Sequence, residues 1–191
     1  MSVCRFVTVV LITLAARSAG MVKAQNAPLG SVEEVYIFRS IRTVRVVGPD
    51  AAELCRSRVA FTSFAHDTSD LVSMTVGPNG LVTEPKVKVI GTLVTCSGRT
   101  INPDVFDFYG EGEINGIRFK GGGECVRYAD APLMGANSVQ CRNRATVLND
   151  GYVGGLITSN SLTPTDASPT GTIPPGYLGT SVAVARFWKR R

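Results

Sequence analysis

The chain has 191 residues and a formal net charge of +5, a length that suits one domain with a sizeable single core. Three of its basic residues, Arg5, Arg17 and Lys23, stand within the first 24 positions with no acid among them. Beyond residue 24 there remain 17 basic and 15 acidic residues, a net charge of +2, which sets aside the nucleic-acid-binding class and its clustered basic footprint.

Arg5, the apolar run Phe6 to Ala16 and a short stretch of polar and small residues read as a secretory signal peptide over residues 1–24. The apolar run is too short for a bilayer, which takes about 20 residues, so an uncleaved anchor is the weaker reading. Val22-Lys23-Ala24 is a small-residue cleavage site before Gln25, with a cut after Gly20 as the near alternative. Cys4 precedes the apolar run and so is no lipoprotein attachment site. Processing leaves a single all-β domain over residues 25–191, periplasmic or extracellular, with no membrane span.

The processed chain keeps Cys55, Cys96, Cys125 and Cys141, an even set in a protein sent to an oxidising compartment. No pair has CxxC spacing and the chain has one histidine, so disulfides are expected and no metal or other cofactor. A loop centred on Leu133 between two antiparallel strands places Cys125 opposite Cys141, which leaves Cys55 with Cys96.

Ser31 to Val47 carries capping-box spacing at Ser31 and Glu34, yet Val, Ile, Tyr, Phe and Thr dominate it, which favours a strand. In a regular strand Arg42 is out of phase with Arg39 and Arg45, so the three form no basic stripe. After Gly48-Pro49, Asp50 and Glu53 again have capping-box spacing, and a short helical turn is expected around Ala51 to Leu54. Arg58 to Phe64 and Leu71 to Val76 read as strands, with the polar FAHDTSD as their connection. Pro78-Asn79-Gly80 is a turn signal. Leu81 starts a return strand interrupted by Pro85, and Val87 to Cys96 continues with Gly91 as a bend.

The most informative stretch is Val105 to Tyr128. Asn115-Gly116 between Ile114 and Ile117 is the pair a two-residue hairpin turn requires. Counting outward sets Glu113 opposite Arg118, Gly112 opposite Phe119 and Glu111 opposite Lys120, a mutually supportive register. Gly121-Gly122-Gly123 falls inside the second strand, where glycine marks a bulge, a bend or a close backbone approach. A phosphate-cradling loop would instead run into a helix.

Ser138 to Leu148, the Asn149-Asp150-Gly151 turn and Tyr152 to Thr158 form another hairpin. Residues 159–179 are rich in Pro, Thr, Ser and Gly and read as a long loop. Thr180 to Trp188 reads as the closing strand. With about eight or nine strands in sequential hairpins, the chain is expected to form an antiparallel up-and-down β-barrel, with a β-sandwich as second choice. Export, size and hairpin order resemble those of calycin-type barrels at the level of fold alone.

Candidate chemistry is sparse. Asp107 shares a strand face with Tyr109, Glu111 and Glu113 and has Asp104 nearby, and paired carboxylates are what a glycosidase needs. Glu111 and Glu113 are expected to be held ionised by Lys120 and Arg118. His66 is the only residue on which histidine acid–base chemistry could rest. Arg142 and Arg144 alternate to one face and could bind an anion. Trp188, the one indole, could stack a sugar. The expected function is non-catalytic binding of an unknown small ligand or protein partner. The alternatives are a small secreted enzyme using Asp104, Asp107 or His66, and a structural cell-surface or periplasmic protein.

Overall fold

The computed structural model describes residues 27–79, 82–83, 88–128, 136–164 and 177–191. The expected signal peptide, the Pro85 interruption, the loop around Leu133 and residues 165–176 of the expected long loop lie outside the described residues.

In chain order the elements are β1 (Ser31–Val47), α1 (Pro49–Cys55), β2 (Ser63–Ser73), β3 (Thr75–Val76), β4 (Val82–Thr83), β5 (Val89–Arg99), β6 (Val105–Ile114), β7 (Ile117–Tyr128), β8 (Ala136–Val147), β9 (Tyr152–Pro164) and β10 (Thr180–Arg190). Eight strands close into one antiparallel barrel in the order β1-β10-β9-β8-β7-β6-β5-β2, and β3 pairs with β4 as a separate small ladder. The sheet is therefore a closed barrel and not a sandwich. Apart from the β3–β4 excursion, each barrel strand pairs with its neighbour in sequence, and β1 against β10 seals the ring. Closure leaves no edge strand in this sheet on which another chain could template.

The Asn115-Gly116 turn sets the register of β6 and β7 as its local chemistry requires. Both residues have positive φ, and Ile114↔Ile117, Glu113↔Arg118, Gly112↔Phe119 and Glu111↔Lys120 are the observed partners. The triple glycine is no bulge, because β7 stays in unbroken register with β6 and β8 through it. It is a close approach: a Cβ on Gly121 or Gly123 would run into the carbonyl oxygen of Arg144 or Arg142 on β8. The same register sets Cys125 opposite Cys141, which are bonded, and Cys55 bonds Cys96.

Four sequence expectations are corrected. The strand expected over Arg58 to Phe64 begins only at Ser63, because residues 56–62 form the turn and bend that follow α1. FAHDTSD is not a connection but part of β2; its inward residues Ala65, Asp67 and Ser69 line a polar lumen, so the alternation that marks a half-buried strand is lost. The long loop starts later than expected, since β9 continues to Pro164 and pairs with β8 and β10 along residues 159–162. The helix is present, but its N-cap is Gly48 with no side-chain cap; Glu53 pairs with Arg56 instead.

The barrel interior is divided along its axis. At the end where the β6–β7 turn lies, Phe38, Leu71, Ile114, Phe119, Ala185 and Phe187 form the core, each large side chain contributing about 1.5–3 kcal/mol by leaving water. Tyr36 and Tyr152 pack against it and both hydroxyls donate to Glu34, closing that end. The opposite end has no such plug among the described residues. Its wall carries a second, smaller cluster of Phe106, Cys125, Val139 and Cys141, flanked by Phe64 and Phe108.

The disulfides close loops of different length, with sequence separations of 41 for Cys55–Cys96 and 16 for Cys125–Cys141. On chain entropy alone they restrict the unfolded state by about 4 and about 3 kcal/mol. Denaturant titration of the C55A/C96A and C125A/C141A variants is expected to show losses of that order, the first the larger.

Candidate functional site

Among the described residues, the end of the barrel opposite the packed core, here called the open end, holds a cavity of ≈ 530 Å³. β1 and β2 supply its most unusual feature. Between Arg42 and Val44 the β1–β2 register shifts by one residue, leaving Thr43 as the inserted residue of a bulge. The insertion reverses the phase of the strand. Arg42 and Arg45, which a regular strand would point to opposite faces, both reach Asp67 on β2. Arg42 Nε lies 3.2 Å and Arg45 Nη1 3.4 Å from its carboxylate.

All three groups are largely buried, with side-chain exposures of 16% for each arginine and 7% for Asp67. Burial pushes the Asp67 carboxyl above its ordinary value, while both guanidiniums pull it down. Burial also draws Arg42 down from its high ordinary value. Two guanidiniums within 3.4 Å favour the ionised carboxylate against that burial, and with Asp67 ionised the cluster carries one net positive charge. Arg42 Nη1 also donates to the Leu178 carbonyl, tying β1 to the segment that enters β10.

Arg99, on β5 beside β2, and Arg127, on β7 across the ring from β1, also line the cavity. Each sits over a phenylalanine, Arg99 at 5.8 Å from the Phe64 ring and Arg127 at 6.0 Å from that of Phe106. Those two rings meet edge to face at 5.9 Å. Among the described lining residues four arginines thus face one carboxylate. Below Arg42, Asp67, Phe108, Cys141 and Ser161 the lumen narrows to an extension of only ≈ 70 Å³. Ser40, Ser69, Thr95, Asn143, Ser159 and Ser181 surround that extension, and Asn143 Oδ1 is buried without a partner among the described residues.

The residues singled out from sequence fall elsewhere. Asp107 is on the outer face of β6, lining a shallow groove with Phe61 and Glu124, and Asp104 is exposed in the β5–β6 connection. His66 is on the outer face of β2, opposite Cys96, and buried against the side carrying α1; its Nδ1 has no partner among the described residues. Arg142 and Arg144 point outward from β8. Trp188 is buried and donates its indole N–H to Glu33 at 3.0 Å, beside Arg186 on the same carboxylate. Of these only Arg144 borders the lumen, at its narrow extension. Glu111 is held ionised, but chiefly by a 2.7 Å hydrogen bond from Arg58, with Lys120 a minor influence.

Sequence reasoning missed Asp67, Arg99 and Arg127, and set Arg42 and Arg45 aside as lying on opposite faces of a strand. Arg42 and Arg45 converge only through the bulge. Arg99 and Arg127 stand at the ends of β5 and β7, where charge ordinarily signals solvated strand termini. No protein-family model, curated protein or solved structure matches the chain.

Two measurements follow. Asp67→Asn leaves two buried guanidiniums without a counter-charge and is expected to cost about 3–5 kcal/mol in urea unfolding. Glu111 titrates below its usual 4.5 in the folded protein, so its ionisation stabilises the fold above the unfolded value and the gain is lost as pH falls through the folded one. Glu111→Gln should melt below the parent chain near pH 7 and converge with it in acid.

Proposed function

We propose that the chain is a non-catalytic binding protein that takes a small ligand in the open end of its barrel. The observation that carries this reading is the asymmetry of the lumen, packed with phenylalanine and aliphatic side chains at one end and opening at the other into a cavity of ≈ 530 Å³. That volume is within the roughly 300–1,000 Å³ typical of small-molecule sites, and so is the mixture of aromatic walls with a few convergent polar groups. Both disulfides suit an oxidising compartment, in keeping with an exported protein acting in the periplasm or outside the cell. The enzyme alternative gains no support from Asp104, Asp107 or His66, which lie outside the lumen and do not converge.

Native mass spectrometry of protein purified without denaturation is expected to show a small-molecule adduct that organic solvent removes. Ser161→Trp, which narrows the junction of cavity and extension, should abolish the adduct while circular dichroism stays that of a β-barrel. An unliganded mass for the parent chain under several expression conditions would sink the reading. Asp107→Ala should leave the adduct unchanged.

A further inference from the structure

Within the binding-protein reading, on which this step rests, we infer that the ligand is a small aromatic carboxylate whose charged group docks between the Arg42–Asp67–Arg45 cluster, Arg99 on the neighbouring β5 and Arg127 across the ring on β7. Three independent features of the cavity converge on that class. The first is charge. Arg42, Arg45, Arg99 and Arg127 outnumber Asp67, the one acid among the described residues lining the cavity, and this surplus of positive charge, largely buried at Arg42 and Arg45, attracts an anion. Asp67 already occupies one side of the two β1 guanidiniums, and each guanidinium has five donors arranged to bind carboxylates in pairs. A ligand carboxylate completes an alternating array of two cations and two anions.

The second feature is the apolar wall. Phe64 and Phe106 meet edge to face, and together with Phe108 and Val139 they offer ring faces and aliphatic surface beside the arginines. A small inorganic anion would leave that surface wet, and a purely apolar molecule would bury guanidiniums without a partner. A flat ring bearing a carboxylate satisfies both.

The third is depth. The extension below Arg42 and Asp67 holds only ≈ 70 Å³, too little for an aromatic ring, so the body of the ligand and its charged group stay at the level of the arginines.

The test is a titration of the full-length secreted protein with naphthoate and with naphthamide, its uncharged amide, followed by ligand fluorescence and calorimetry. Naphthoate is expected to bind at least about tenfold more tightly, the factor expected for one charge-assisted interaction, and to weaken as salt is raised. Arg45→Gln should remove most of that preference and leave the naphthamide affinity where it was. Because Arg45 also supports Asp67, Arg127→Gln serves as the second variant. Its guanidinium has no carboxylate partner among the described residues, and it should lower naphthoate affinity several-fold with the melting temperature unchanged. Equal affinity for the two compounds, or no loss in Arg127→Gln, overturns the carboxylate assignment while leaving a ligand-binding cavity in place. Failure of naphthoate to bind at about 1 mM, where a contact worth about 4 kcal/mol is half-saturated, overturns it as well. The adduct measurement described above reports separately on whether any ligand is taken.

Discussion

The one-residue bulge in β1 decides what faces the upper lumen. A strand alternates its side chains with a period of two, so inserting Thr43 exchanges the inner and outer faces for everything beyond it. Without it Arg42 and Arg45 could not both reach Asp67, and one guanidinium would point to solvent. The bulge is held on both sides: Thr43 donates its hydroxyl to the Thr68 carbonyl on β2, and the Arg42 amide donates to the Gly179 carbonyl before β10. A backbone feature thus places a buried charge cluster beside the cavity, and the ladder around it keeps it there.

Close packing and open space are divided along the barrel axis. The plugged end contains the large apolar side chains, and Tyr36, Tyr152 and Glu34 close it with hydrogen bonds. The Tyr152 hydroxyl is pushed up to about 12, chiefly by burial and with help from its bond to Glu34, so this closing arrangement persists across the neutral range. At the open end hydroxyls, arginines and ring edges replace aliphatic packing, and hydrophobic burial there cannot hold the wall. The Cys125–Cys141 bond joins β7 to β8 at that level, and Cys55–Cys96 fastens α1 to the outside of β5. Covalent ties therefore stand where the core is thinnest, as expected of a barrel that keeps a lumen and still needs a rigid wall.

The sequence was legible where local chemistry set geometry. Asn115-Gly116 has few alternatives as a hairpin turn, and the β6–β7 register followed from it without further information. The Cys125–Cys141 pairing followed from counting across the next connection, and the closed up-and-down order followed from sequential hairpins. The lumen was not legible, because the usual inside-apolar code is reversed there. Ala65, Asp67 and Ser69 face inward while Val72 and Cys96 are buried on the outside, so β2 resembled a loop. The bulge was invisible for a related reason: Arg42-Thr43-Val44 contains no glycine or proline to announce a break in phase, and only pairing with β2 reveals it.

The glycines of β6 and β7 bear on the same division. Gly110 and Gly121 border the narrow extension, and Gly121 and Gly123 allow β8 to approach more closely than any side chain would permit. Glycine in a strand lowers its stability, so three in succession would be a liability in a sheet held by side-chain packing alone. Here the unbroken ladders on both sides and the nearby Cys125–Cys141 bond offset that cost. In return β7 and β8 approach closely beside the narrow extension of ≈ 70 Å³, which Gly121 borders. The triple glycine is thus a feature of backbone packing at the level where the lumen narrows.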